Sequence, residues 1–165
     1  MKLILLLRAI NLGKLNKVPM LDLKLYLTEV GFNNVKTLLQ SGNIYMEADE
    51  FDISDLENKL SDRYGFKIPI ILTDLNQIIK ISEHPNFKEN SMVVFTNKTI
   101  TEDQINQLRL EITEEFDILH QCIIINYSTS FHLTKFNNTW FERRLKTNTT
   151  IRNRNTVLKM IESFK

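Results

Sequence analysis

Leu3-Ile4-Leu5-Leu6-Leu7 is an unbroken apolar run, and it stops at Arg8-Ala9-Ile10-Asn11-Leu12-Gly13-Lys14-Leu15-Asn16-Lys17. A strand with one wet face alternates apolar and polar residues. This run is apolar at both alternating positions, so it predicts a strand in a sheet covered on both sides. Part of the second half of the chain is expected on the face away from the first two helices. Such a sheet lacks the open face on which an RNA-recognition domain stacks bases. The strand delivers a basic, amide-rich loop to one end of the sheet, and strand-end loops are where α/β folds commonly build ligand sites.

A chain of 165 residues with 42% hydrophobic content fits one domain, or two small halves packed together, and argues against disorder. No apolar run approaches the ~18 residues of a membrane-spanning helix. The apolar stretch before Arg8 is too short for a signal peptide, and no small-residue cleavage site follows it. A single cysteine, Cys122, excludes an internal disulfide framework and fits a reducing cytoplasm. Cys122 opens the apolar Cys122-Ile-Ile-Ile segment and reads as a core residue, not a nucleophile. The net charge of +1 hides a segregation: residues 1–46 sum to +4, 47–117 to −9 and 135–165 to +6. The basic ends either balance the acidic middle or form a surface for an anionic partner.

The first 74 residues parse as βαββαβ, the ferredoxin-like arrangement. Residues 2–8 form a strand. Pro19 stands near a helix start, with Met20, Leu23, Leu27 and Val30 at helical spacing and Gly31 beyond the end. Val35 to Leu39 and Ile44 to Glu47 are strands joined by Gln40-Ser41-Gly42-Asn43, a hairpin. Ser54-Asp-Leu-Glu57 has a capping-box pattern, Gly65 ends that helix, and Ile68 to Thr73 is the fourth strand. Residues 75–165 read as a second, smaller α+β half, closely packed on the first. A short helix spans Leu75 to Ile81, His84-Pro85-Asn86 is a break, and Met92 to Phe95 is a strand. Thr101-Glu-Asp-Gln104 is another capping box, with Ile105, Leu108, Ile112 and Phe116 on one helical face. Cys122 to Tyr127 is a strand that Phe131 to Leu133 can join as a hairpin. Thr139-Trp140-Phe141-Glu142 opens a further helix. Val157, Leu158, Ile161 and Phe164 define the last, capped by Asn155 or Thr156.

Arg8, Asn11 and Lys17 lie just before a helix start, where free N–H groups attract anions. Gln40 and Ser41 exceed what a turn needs. In a ferredoxin-like sheet the end of the first strand lies beside the start of the third, which brings Arg8 to Asn11 near Gly42-Asn43. Arg152 and Arg154 precede the last helix, at the unfavourable positive end of its dipole, so each needs an acidic side chain or a ligand. If folding brought Arg8 and Arg152 within ~6 Å at an effective dielectric near 20, their repulsion would be about 3 kcal/mol and would call for a counterion. The glycines are too scattered for a nucleotide-binding fingerprint. His84, His120 and His132 lack metal-ligand spacing, and no nucleophile elbow or zinc-protease motif is present.

Leu6-Leu7-Arg8-Ala9-Ile10-Asn11-Leu12-Gly13, Asn16-Lys17-Val18-Pro19-Met20, Gln40-Ser41-Gly42-Asn43 and Arg152-Asn153-Arg154-Asn155-Thr156-Val157 together resemble an uncharacterised bacterial family, domain of unknown function 1697 (DUF1697). The resemblance spans nearly the whole chain. The family pattern has Gly where this chain has Ala9 and Lys14, Lys at Leu15 and Trp at Arg154, while Thr134-Lys135 resembles its Ser-Lys pair. The resemblance implies an α+β fold with a ferredoxin-like half in a small soluble bacterial protein. It implies no particular activity.

The resulting expectation is a cytoplasmic α+β protein that binds an anionic ligand in a basic, Asn-rich crevice. The ligand is a phosphate-containing metabolite, a nucleotide or a nucleic acid. Arg8, Asn11, Lys17, Gln40, Ser41, Asn43, Arg152 and Asn155 are the binding residues, with no metal, cofactor or membrane partner. Two rivals remain. One is an enzyme on a small phosphorylated or carboxylated metabolite, with Lys135 or His132 as its titratable group. The other is a ligand-free structural or interaction protein, for example a homodimer.

Overall fold

A computed structural model describes all 165 residues. Chain contacts divide it into a first unit, Met1–Gln77 with Met160–Lys165, and a second, Ile78–Lys159. No helix is long and apolar enough to cross a membrane.

The first unit runs β1 (Lys2–Leu7), α1 (Met20–Glu29), β2 (Asn33–Leu38), β3 (Asn43–Glu47), α2 (Ile53–Tyr64) and β4 (Ile70–Thr73), and then enters α3 (Leu75–Ser82). Its antiparallel sheet has the order β2-β3-β1-β4, which is the ferredoxin-like order. Leu5 and Leu7 of β1 join Ile44, Met46, Leu23, Leu27, Leu56 and Leu60 in one core, so α1 and α2 cover one sheet face. Ile4 and Leu6 point the other way and are equally buried. The apolar run is thus covered on both faces. On the second face Tyr45, the cross-strand neighbour of Ile4, meets Phe164 with ring centroids 5.8 Å apart.

The capping box read at Ser54–Glu57 is not the one the chain uses. Asp52 caps α2 by accepting from the Asp55 N–H at 2.8 Å, and Glu57 accepts from the Ile70 N–H at 2.9 Å, tying α2 to β4. Asp is as good a cap as Ser, and starting the helix earlier leaves Glu57 free to reach the strand.

Asp22 of α1 accepts from Arg63 at 2.7 and 3.0 Å and from the Tyr64 hydroxyl at 2.7 Å. The Arg63 hydrogen bonds, then that of Tyr64, hold the Asp22 carboxyl below its ordinary value. A lowered folded-state value means the stabilisation is present above the unfolded-state value and lost as pH falls through the folded one. Asp22→Asn is therefore expected to unfold at lower urea than wild type at pH 7. The gap should begin to close below about pH 4 and vanish at lower pH; a gap that is constant with pH would contradict the ion pair's role.

The second unit holds the rest of α3, then β5 (Ser91–Thr96), α4 (Glu102–Glu111), β6 (Glu115–Leu119), β7 (Cys122–Asn126), α5 (Asn138–Leu145), β8 (Thr149–Asn153) and the start of α6 (Arg154–Phe164). Its sheet order is β6-β7-β5-β8. The second half is therefore also a complete βαββαβ with ferredoxin-like strand order, fuller than its sequence predicts. Val94, Ile123, Ile125 and Ile151 face α4 and α5 through Leu108, Phe141 and Leu145. Cys122 is buried.

Three expectations are corrected here. Phe116 does not continue the α4 face: the helix ends at Glu111 and Phe116 lies on β6. The hairpin partner of β7 is β6, through a turn at His120 with φ 55°, and residues 131–133 form a turn, not a strand. The last helix is capped not by Asn155 or Thr156 but by Asn153, whose Oδ1 accepts from the Thr156 N–H at 2.8 Å, and residues 149–153 ahead of it form a strand, β8. Asn155 and Thr156 lie inside the helix.

Candidate functional site

In the first unit the loop after β1 is shaped by left-handed residues. Ala9, Asn11, Gly13 and Asn16 all have φ between 51° and 60°. Asn tolerates this region through local hydrogen bonds, and both asparagines make them. Asn11 donates to the Val18 carbonyl at 3.0 Å and accepts from the Val18 N–H at 2.8 Å. Its amide also reaches the Gln40 carbonyl at 2.7 Å. Asn16 donates to the Ala9 carbonyl at 3.0 Å, and Leu12 and Leu15 pair across a tight turn at Gly13-Lys14.

The neighbouring turn is held likewise. Asn43 is fully buried and donates to the Leu38 carbonyl at 2.9 Å and to Ser41 Oγ at 3.0 Å. Leu7 N–H donates to the Gly42 carbonyl at 2.9 Å. Arg8, half-buried, donates its backbone N–H to the Pro69 carbonyl at 3.0 Å. The structure thus brings Asn11, Gln40, Ser41 and Asn43 together as a clasp between the β1–α1 loop and the β2–β3 turn. Lys17 is exposed on the loop they hold.

Arg152 and Asn155 belong to the second unit. Arg152 lies on β8 opposite Val93 and is 6% exposed. Its guanidinium donates to Thr150 Oγ1 at 2.6 Å and to the Ile151 carbonyl at 3.2 Å. Burial pulls it down to about 10, so it stays charged at neutral pH.

Asn155 lines a crevice of about 490 Å³ that the sequence reading did not assemble. Three segments build it. The entry into β5 supplies Glu89 to Met92, the loop after β7 supplies Tyr127 to Phe131, and the β8–α6 junction supplies Asn153, Arg154 and Asn155. Antiparallel pairing puts these ends together, since Ser91 is opposite Asn126 and Met92 opposite Asn153. The loop after β7 is fixed by Glu114, whose carboxylate accepts from the Ser128 N–H at 2.5 Å and hydroxyl at 2.7 Å. Tyr127 donates to the Phe136 carbonyl at 2.5 Å. Burial, then the Glu114 charge, pushes its phenol well above the ordinary value, so it stays protonated.

Arg154 is the cation of this crevice. Its Nε is sealed from solvent without a hydrogen-bond partner, and its guanidinium carbon lies 5.6 Å from the Phe87 ring centroid. Lys135 sits 5.2 Å from the Phe136 ring centroid and His132 packs on Phe131; neither lines the crevice. No cluster of three or more His, Cys, Asp or Glu side chains could hold a metal ion. The legible signals were the Ser128-Thr129-Ser130 run after an apolar strand and the Arg-Asn pair beside the last helix. What joins them is cross-strand register, which linear spacing does not display.

The fold defines an α+β protein built from two antiparallel four-stranded sheets, each with ferredoxin-like order. The same fold is found in a conserved bacterial protein, SP0830, from Streptococcus pneumoniae. That similarity has a TM-score of 0.76 and 23% identity, and covers 99% of this chain and 98% of that one. The model of the family described as "Protein of unknown function (DUF1697)" matches residues 1–123, and the chain belongs to this family. No curated protein matches it.

Proposed function

We propose that the chain binds a small anionic ligand, phosphorylated or carboxylated, in the crevice of the second unit. Arg154 carries this reading. Its guanidinium is the one cationic group among the residues that line the crevice. An oxyanion in the crevice supplies the opposite charge, in the charge-assisted pairing that arginine favours. Asn155 and the Ser128-Thr129-Ser130 loop offer further polar groups around the same space. The start of α6 adds a favourable dipole.

In the first unit the reading is narrower. Arg8 and Lys17 are the groups that would meet an anion, on a loop shaped by Asn11, Gln40, Ser41 and Asn43. The observed amide bonds of Asn11 and Asn43 favour a supporting role for those two side chains.

Calorimetric titration with inorganic phosphate tests the crevice. Saturable binding is expected in wild type, weakened about ten- to a hundredfold by Arg154→Ala, as for loss of a charge-assisted hydrogen bond. Equal binding by both proteins, or none by wild type, overturns the assignment.

A further inference from the structure

We infer that residue 153 selects the charge accepted by this crevice, and that the ligand is a small compound with one anionic head rather than a nucleic-acid strand. The inference rests on the binding reading above and deepens it. The two units share one topology, and in each a capping side chain joins the last strand to the helix that follows. In the first, Asp74 Oδ1 accepts from the Gln77 N–H at 2.9 Å; in the second, Asn153 Oδ1 accepts from the Thr156 N–H at 2.8 Å. Asp and Asn cap about equally well, and Asp gains from the helix dipole. Capping therefore does not require a neutral residue at position 153.

What differs is the next residue. Leu75 follows Asp74, whereas Arg154 follows Asn153. A carboxylate at position 153 would neutralise Arg154 and repel an incoming anion from the crevice wall. The amide keeps the cap and leaves the guanidinium charge for a ligand.

The lining also limits the size of that ligand's charge. Arg154 is its one cation, beside the single carboxylate of Glu89, so no row of cations lines it. A nucleic-acid groove instead follows successive phosphates with several cations and shows strong salt dependence. The volume of about 490 Å³ lies within the range of small-molecule pockets.

The test titrates the full chain with inorganic phosphate, ribose 5-phosphate and a twelve-residue oligothymidylate, at low and moderate salt. Asn153→Asp is expected to weaken ribose 5-phosphate binding at least about tenfold more than Asn153→Ser, since both caps serve the helix but only one adds charge. Thermal unfolding of the two variants verifies that both fold. Ribose 5-phosphate should bind more tightly than the oligonucleotide. If Asn153→Asp and Asn153→Ser bind ribose 5-phosphate alike while Arg154→Ala still loses it, charge selection at position 153 is wrong and the binding reading stands. Tighter, salt-sensitive oligonucleotide binding overturns the ligand class. A wild-type protein that binds none of the three removes the binding reading and this inference together.

Discussion

Gly42→Ala is expected to destabilise the protein by about 2–4 kcal/mol, combining left-handed backbone strain with overpacking. Gly42 has φ +82°, and a Cβ there would lie 2.7 Å from Ile10 Cδ1, 3.0 Å from Leu7 Cβ and 3.2 Å from Leu7 Cδ1. The terminal methyl of Ile10 could yield slightly, but Leu7 Cβ belongs to the strand itself. Nor can the turn retreat, because the Leu7 N–H is bonded to the Gly42 carbonyl at 2.9 Å. Gly13→Ala is the control: its φ is +60° and nothing lies within 4 Å of an added Cβ, so strain alone remains, about 1–2 kcal/mol. Urea unfolding compares the two. If Gly42→Ala proves no worse than Gly13→Ala, the close approach at the turn is not what requires glycine there.

Phe141→Ala should lower stability by about 3–5 kcal/mol, the range for emptying a packed aromatic site. Phe141 is fully buried among Leu108, Ile123, Ile125 and Leu145. Its ring meets that of Trp140 edge-on, with centroids 5.0 Å apart. Trp140 is the only tryptophan, so its fluorescence reports this core during urea unfolding. The variant should unfold at markedly lower urea and show altered tryptophan emission before unfolding begins. A loss below about 1.5 kcal/mol would mean that the surrounding side chains collapse into the space, contrary to the partial relaxation usual in cores.

The first unit was legible because its signals are local and agree with one another. An apolar run, a proline at a helix entry and a turn of Gln, Ser, Gly and Asn each point to one element. The second unit hides two of its strands. β8 reads Thr-Thr-Ile-Arg-Asn, yet all but Asn153 are buried. Its polar groups find partners: Thr149 Oγ1 donates to Asn138 Oδ1 at 2.8 Å, and the Thr149 N–H donates to Glu142 at 3.0 Å. Hydrophobic periodicity cannot detect a strand whose burial depends on hydrogen bonding. β6 was masked differently. Phe116 falls in step with the helical repeat of Ile105, Leu108 and Ile112, and the following turn uses His120-Gln121, not a common turn pair. For the candidate site, the charges of Arg152 and Arg154 were readable but their surroundings were not. One proves buried in a strand, where it bonds to Thr150, and the other lines a crevice at the head of α6.

The last six residues, Met160–Lys165, belong with the first unit, and Phe164 lies against Tyr45 there. During synthesis that piece leaves the ribosome after every strand of both sheets. The N-terminal sheet can form early, but Tyr45 waits for its ring partner until translation of this segment is complete. A nascent chain stalled before Met160 would carry every strand of both sheets and still lack that finishing contact.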